Sequence, residues 1–276
     1  MNPDAAPPWL QRLVDNVEHV PGAFRRRVPA HVLAMVTAAS KLRTSARDAA
    51  VLVLFSGPQS PPAADGAVPA DGAVPDDADL LLTVRASTLR HHAGQAAFPG
   101  GATDPGDAGP VDTALREARE ETGIDTTRLR PLATLERMFI PPSGFHVVPV
   151  LAYSPDPGPV AVVDENETAM VARVPVRAFI NPKNRLMVYG RATRFAGPAF
   201  LLNHMLVWGF TGQIIAAILD VAGWAQPWNT DDVRELDEAM ALVADPESEP
   251  QANSQEATEP RMRADGVADG YGEAQQ

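Results

Sequence analysis

The sequence lacks cysteine altogether in 276 residues. Without cysteine the chain cannot form disulfides, bind zinc through thiolates or use a thiol nucleophile, so oxygen or imidazole groups must bind any metal ion. Basic residues are also few: 23 lysines and arginines stand against 35 aspartates and glutamates, and the formal net charge is -12. Because nucleic-acid binding needs clustered basic residues to neutralise phosphates, this composition argues against a nucleic-acid partner.

A signal for export is missing as well. Residues 1–8, MNPDAAPP, contain neither the basic region nor the apolar stretch of a secretory signal, so a cytoplasmic location is expected. The most apolar window, residues 200–224, is interrupted by polar residues and by three glycines, which argues against a membrane span. We expect a buried helix there, preceded by a loop, and no membrane partner.

A low-complexity segment occupies residues 57–78. It consists almost entirely of Pro, Ala, Gly, Asp, Ser and Val, and the hexapeptide ADGAVP occurs twice in succession. Such a segment can bury little apolar area, so a flexible loop is expected. Apolar segments at 50–55 and 80–84 flank it, which predicts an insertion between two neighbouring strands of one sheet.

The remaining patterns predict the organisation of the chain. Apolar residues at helical spacing predict a helix over 29–42 and another towards the C-terminus, which Asn229 or Thr230 caps. Beyond Pro246 the sequence is acidic and poor in apolar residues, so a disordered tail is expected. Further strands are expected over 132–139, 147–153 and 170–175. The predicted parts are an N-terminal helical extension, a main domain, a C-terminal helix and an acidic tail, over residues 1–47, 48–226, 227–245 and 246–276.

Three glutamates, Glu117, Glu120 and Glu121, share one face of a predicted helix, within an arc of about 100°. The ordinary interpretation is a solvated acidic face paired with Arg116 and Arg119. However, carboxylates about 5 Å apart repel each other by roughly 3 kcal/mol per pair at an effective dielectric of about 20, and no basic residue separates them on that face. Oxygen-only clusters of this kind suit magnesium or manganese.

A glycine turn precedes this helix. The segment Phe98-Pro99-Gly100-Gly101 allows the backbone to approach a ligand or metal ion with no side chain in the way. Gly123 is expected to end the helix in the left-handed conformation. The turn and the acidic face together favour a metal site over a solvated face.

These residues resemble a known family. Gly101, five residues, Asp107, eight residues and then REAREETGI at 116–124 are similar to the Nudix box. The box ordinarily has Glu where Asp107 stands, and one residue fewer before Arg116. Both departures are typical of the coenzyme A pyrophosphatase branch, in which Asp-Pro-x-Asp follows the glycines, as at 104–107 here. The upstream signature of that branch also matches at its fixed positions, which are Leu81-Leu82-Thr83, Arg85-Ala86, Arg90, Gly94 and Phe98-Pro99-Gly100-Gly101.

The resemblance implies an α/β Nudix fold, with a mixed β-sheet sandwiched between α-helices. It implies Mg²⁺- or Mn²⁺-dependent hydrolysis of the diphosphate bond of coenzyme A or acyl-coenzyme A, giving 3′,5′-ADP and (acyl-)4′-phosphopantetheine. One alternative is hydrolysis of another nucleoside diphosphate derivative, such as ADP-ribose, NADH or an oxidised nucleotide. A non-catalytic Nudix ligand sensor is a second alternative, and a homodimer is left open.

The resemblance also implies roles for individual residues. The implied metal ligands are Glu117, Glu121, Glu120 and the carbonyl of Gly101. The implied catalytic residues are Glu120, Glu117 and Glu167, with the general base open between Glu120 and Glu167. Arg85 and Arg90 are candidates for binding substrate phosphates, with the Gly100 backbone beside them, unless these arginines merely end a strand in water. Arg116 and Asp107 are expected to form a structural ion pair.

Overall fold

The computed structural model describes residues 1–42, 47–59, 72–86, 95–141, 143–190, 195–202 and 204–244. Most of the predicted loop at 57–78, Arg90 and the predicted tail at 246–276 lie outside these residues. Within the described part of the chain, no helix is long and apolar enough to span a membrane.

A mixed sheet forms the centre of the fold. Its middle strand, β1, runs parallel to β7 along its whole length and antiparallel to β2 and β4. The order is β3-β2-β1-β7-β5, with β4 also paired to β1, β6 to β7 and β8 to β2. The strands are β1 (Arg47–Ser56), β2 (Asp79–Arg85), β3 (Ala96–Ala97), β4 (Gly100–Ala102), β5 (Arg130–Thr134), β6 (Met138–Ile140), β7 (Phe145–Ser154) and β8 (Thr168–Pro175).

Helices cover both faces of this sheet, as the resemblance implied. Along β1, Leu52 and Leu54 pack with the apolar side of α4, whereas Val53 and Phe55 belong to the larger core that contains α1 and α6. A strand covered on both faces needs an almost continuous apolar run, which explains the sequence of β1. The helices are α1 (Pro8–Asp15), α2 (Val20–Arg26), α3 (Ala30–Leu42), α4 (Pro110–Thr122), α5 (Val176–Ile180), α6 (Gly209–Ala222) and α7 (Leu236–Ala244).

The predicted N-terminal extension contributes directly to the main core. Trp9 of α1 is 1% exposed and contacts the rings of Phe55, Tyr153 and Trp224, with ring centroids 6.0–6.2 Å apart. Its indole N–H donates to the Pro58 carbonyl at 3.0 Å. Because these partners come from three distant parts of the chain, α1 closes the core and is not an appendage.

The two strands that flank the low-complexity segment are neighbours, as predicted. In the antiparallel pair of β1 and β2, Phe55 lies opposite Leu80 and Ser56 lies opposite Asp79. The segment predicted as one strand over 132–139 is instead divided into β5 and β6, with residues 135–137 between them. Both strands pair antiparallel with β7, so the segment keeps the same neighbouring strand on either side of the break.

A second, smaller sheet corrects two further expectations. Its order is β11-β10-β9-β12, from β9 (Arg185–Gly190), β10 (Phe195–Leu202), β11 (Met205–Val207) and β12 (Val233–Glu235). A hairpin of β10 and β11, rather than a loop, therefore precedes the buried helix α6. The helix predicted over 227–245 begins only at Leu236, because residues 233–235 pair in parallel with β9. Local periodicity favoured helix there, but the open edge of β9 binds the backbone in an extended form.

Candidate active site

The helix α4 carries the three glutamates, and its ends follow from its sequence. Pro110 stands in the first turn, where a missing N–H costs nothing, and Gly123 ends the helix with φ 67°, in the left-handed region. Ala114 and Ala118 are fully buried against the central sheet. The predicted helix, its apolar face and its glycine end are confirmed, and the opposite face is left for the carboxylates.

The glycine turn brings the backbone against these carboxylates. A Cβ on Gly101 would lie 2.5 Å from a carboxylate oxygen of Glu117, and one on Gly100 would lie 2.3 Å from the Ala50 carbonyl oxygen. The Gly100 N–H donates to Glu121 Oε2 at 3.2 Å. Both glycines are therefore required by close approach: Gly100 fits against β1, and Gly101 leaves room for Glu117.

Arg116 links the loop before α4 to the helix itself. It donates two hydrogen bonds to Asp107, from Nε to Oδ1 at 3.1 Å and from Nη2 to Oδ2 at 3.0 Å, and one to the Ala102 carbonyl at 2.9 Å. Its Nη1 lies 3.0 Å from Glu117 Oε1 and 2.9 Å from Glu120 Oε2. Hydrogen bonding from Arg116 holds the pKa of Asp107 well below its usual range, and the same pairing raises the pKa of Arg116.

Burial raises the pKa of two of the three glutamates on this face. Desolvation, with smaller effects of Glu117 and Glu167, raises the pKa of Glu121 to about 7, although the Gly100 N–H and Arg85 act in the opposite direction. Desolvation also raises the pKa of Glu117, against the effect of Arg116. The third glutamate, Glu120, is half-exposed. A cation at this face would favour the ionised form of Glu117 and Glu121, which are both partly buried.

The ends of β2 and β8 bring two more predicted residues to the site. Arg85 ends β2, and the N–H of the next residue, Ala86, donates to the Glu167 carbonyl at 2.9 Å. Arg85 and Glu167 both act electrostatically on Glu121, so they belong to the same cluster as α4. The Nε of Arg85 is buried and has no hydrogen-bond partner in the described part of the chain. Arg90, the other predicted phosphate contact, lies outside the described residues.

The donor set suits a hard cation, although the ligands are not gathered around one point. Among the described residues, no group of three or more acidic or histidine side chains is arranged as a metal site. Arg116 contacts Glu117 and Glu120 and takes the position of a counter-ion there. Glu117 and Glu121 nevertheless both lie against the Gly100–Gly101 turn. The two glutamates offer carboxylate oxygens and the turn offers carbonyl oxygens, and Mg²⁺ and Mn²⁺ prefer such ligands.

Sequence reasoning missed a supporting hydroxyl. Thr113 is fully buried, and its Oγ1 donates to Asp107 Oδ2 at 2.9 Å, beside the bond from Arg116. The same hydroxyl lies 3.2 Å from the hydroxyl of Thr103 and so connects both ends of the loop. A threonine on the buried side of an amphipathic helix was the available signal, because a buried hydroxyl needs a partner.

Comparisons with known proteins identify the family. Residues 66–193 match the family described as the NUDIX domain. The protein named "Uncharacterized Nudix hydrolase NudL" of Cronobacter sakazakii is 38% identical over 142 residues, covering 49% of this chain and 71% of the relative. The protein of the same name in Photorhabdus laumondii is 36% identical over 138 residues, covering 49% and 73%. A crystal structure of the Nudix hydrolase RenU from M. smegmatis is similar at 24% identity and a TM-score of 0.35, covering 48% of this chain and 71% of that one. The chain belongs to the Nudix hydrolase family and is a pyrophosphohydrolase.

Proposed function

We propose that this Nudix hydrolase splits the diphosphate bond of coenzyme A or acyl-coenzyme A, giving 3′,5′-ADP and (acyl-)4′-phosphopantetheine. The observation that carries the substrate assignment is the branch signature that ends in Gly100–Gly101, beside which Glu117 and Glu121 lie. Arg85 ends the strand within that signature and acts electrostatically on Glu121. The signature and the acidic helix are therefore parts of one site.

Nudix hydrolases act with divalent metal ions, and we propose Mg²⁺ or Mn²⁺ here. Glu117, Glu121 and the Gly101 carbonyl would hold the ion, with Glu120 as a further ligand once it leaves Arg116. When bound, the ion shields the charge of the diphosphate and lowers the pKa of a bound water. The chain itself supplies the close approach of Glu117 to Gly101 and the hydrogen bond from Gly100 that orients Glu121.

For the general base we propose Glu167 in preference to Glu120. The base accepts a proton from water while the water oxygen bonds to one phosphorus and the bond from that phosphorus to the bridging oxygen breaks. Glu120 contacts Arg116 at 2.9 Å and is proposed above as a further metal ligand, whereas Glu167 is exposed, has neither of these roles and acts electrostatically on Glu121. Replacing Glu167 with Gln should lower kcat more than Glu120→Gln does, and Glu165→Gln in the same loop is the control. If Glu120→Gln lowered kcat as much as Glu167→Gln or more, Glu120 would be the better candidate for the general base.

Arg85 is proposed to bind a phosphate of the substrate, with Arg90 as a second contact. Its buried Nε has no partner in the described residues, and a phosphate oxygen would accept its hydrogen bond. Arg85→Lys would keep the charge but lose the planar guanidinium, so KM should rise while binding of the metal ion is unchanged. The Gly100 backbone lies next to the same carboxylates and is proposed to line the substrate position.

The test is a chromatographic assay of the purified chain with coenzyme A and Mg²⁺. We expect 3′,5′-ADP to form, chelation to abolish its formation, and Glu121→Gln to lower the rate by about 10²-fold or more. Faster turnover of ADP-ribose, NADH or an oxidised nucleotide would assign a different substrate to the same chemistry. Binding of coenzyme A without turnover under any divalent cation would instead indicate a ligand sensor. A cytoplasmic location remains a prediction of the sequence, and a homodimer remains open.

A further inference from the structure

A buried arginine lies in the second sheet, outside the candidate active site. Arg185 begins β9 opposite Phe200 of β10 and is 5% exposed. Its guanidinium carbon lies 4.5 Å from the centre of the Trp228 ring and 5.4 Å from the centre of the Phe200 ring. Aromatic rings stabilise a guanidinium through its face, which leaves the N–H groups at its edges to find acceptors.

Two nitrogens at the edges of the Arg185 guanidinium lack hydrogen-bond acceptors within the described part of the chain. The Nε and Nη1 atoms of Arg185 are buried and have no hydrogen-bond partner there. A buried charged group that lacks acceptors is costly, and a fully buried arginine is ordinarily paired with an anion or several carbonyls. Among the described residues, therefore, no oxygen atom accepts a hydrogen bond from Nε or Nη1 of Arg185.

A second arginine, Arg27, adds a further positive charge near Arg185. Arg27, just after α2, forms an ion pair with Asp220 of α6 and donates to the Ala216 carbonyl at 3.3 Å. Burial and the charge of Arg27 together lower the pKa of Arg185 to about 10, and Asp220 acts in the opposite direction. Asp220, the carboxylate that acts electrostatically on Arg185, is already in contact with Arg27.

This cluster lies at the opposite end of α6 from the candidate active site. Gly209 begins α6 close to Gln95, whose carbonyl accepts the backbone N–H of Arg85 at the end of β2. Asp220 comes eleven residues later in the same helix, about 16 Å along its axis. The cluster therefore cannot share a ligand atom with the carboxylates of α4.

We propose that Arg185 and Arg27 form a second binding site, for a small oxyanion such as a phosphate or carboxylate group. Guanidinium groups bind such oxygens through charge-assisted hydrogen bonds, which are stronger than neutral ones. Trp228 and Phe200 form an aromatic wall that holds the Arg185 guanidinium in place. The proposal does not depend on the substrate of the catalytic site.

The test is a titration of the full-length protein with inorganic phosphate, at constant ionic strength and with EDTA present so that metal-dependent binding at α4 is excluded. We expect saturable binding by calorimetry and a rise in the unfolding midpoint. Arg27→Gln and Arg185→Gln should each weaken phosphate binding at least tenfold. Arg25→Gln, two residues before Arg27 but paired with Glu136, should leave it unchanged. Asp220→Asn should tighten binding, because the competing carboxylate is removed.

A parallel titration with acetate identifies the kind of oxyanion. Binding of phosphate alone assigns a tetrahedral ligand, and binding of acetate assigns a carboxylate; either supports the site. The proposal is wrong if neither anion binds saturably to the wild type, or if Arg27→Gln binds phosphate as tightly as the wild type does. Arg27 is 21% exposed at its side chain, so this variant decides the matter even where Arg185→Gln does not fold.

Discussion

Arg116 lies within 3.1 Å of three carboxylates, and the geometry of these contacts differs. Asp107 receives two hydrogen bonds from it and is almost fully buried, whereas Glu117 and Glu120 each lie near a single nitrogen, Nη1. A cation could therefore replace Arg116 at both glutamates while the pair with Asp107 continues to hold the loop. Under the proposed function, Arg116 and Asp107 have a structural role, and the glutamates of α4 would bind the metal ion.

Asp107→Asn tests this division at the level of one residue. Because the folded-state pKa of Asp107 is lowered, its ionised form stabilises the fold above the unfolded-state pKa of about 3.8, and that stabilisation is lost as pH falls towards the folded-state value. The variant should unfold at a lower temperature than the wild type at pH 7, and the difference should shrink steadily below about pH 4. Thermal unfolding across this pH range gives the measurement.

Asp104→Asn is the matched control for that measurement. Asp104 belongs to the same loop and lies 3.9 Å from the same arginine, but its side chain is 65% exposed. Exposed pairs contribute little, so this variant should unfold within about 0.5 kcal/mol of the wild type at pH 7. Equal losses in the two variants would show that general loop charge, and not the bidentate pair, holds the loop.

At the scale of elements, the site depends on how closely β4 approaches α4. A methyl group on Gly101 would collide with the Glu117 carboxylate, whereas a methyl group on Gly106, in the loop between them, would meet no other atom within 4 Å. Gly101→Ala should therefore displace Glu117 and lower kcat by about 10²-fold, since small misplacements of catalytic groups have effects of this size. Gly106→Ala should stay within about twofold of the wild type, a range typical of open surface positions.

Activity and stability must be measured together on these two variants. A loss of kcat in Gly101→Ala with unchanged secondary structure by circular dichroism places the defect at Glu117. If Gly106→Ala lost as much activity, flexibility of the loop would be the cause, and the close approach of β4 would not matter. If Gly101→Ala kept full activity, the Glu117 carboxylate would not need its present position.

Sequence reasoning succeeded for elements whose signals are local. The periodicity of α4, its glycine end and the apolar run of β1 all lie within short windows, and each element was found in the structure. It failed at β12, because the edge of β9 that pairs with residues 233–235 lies about 45 residues earlier in the chain. The contacts of Arg116 were predicted only in part, since its bond to the Ala102 carbonyl depends on the path of the loop.

At the scale of the whole molecule, the N-terminal helix α1 closes the main core. Trp9→Ala should destabilise the protein by about 3–5 kcal/mol, because a large fully buried ring leaves a cavity beside Phe55, Tyr153 and Trp224. Met35→Ala, at a residue of α3 that is 60% exposed, should change stability by less than about 0.5 kcal/mol. Urea unfolding of both variants measures the difference. Similar small losses would mean that α1 packs loosely on the rest of the core.

Charge is the other property of the whole molecule, since an acidic protein must attract an anionic substrate. Residues 246–276 contain seven acidic residues against Arg261 and Arg263, so truncation after Asp245 changes the formal net charge from -12 to -7. Truncation should leave kcat unchanged and raise kcat/KM modestly at low ionic strength, because repulsion of the substrate is reduced. At about 1 M salt, where the Debye length is about 3 Å, the two proteins should be equal. A fall in kcat on truncation would instead show that the tail takes part in the catalytic site.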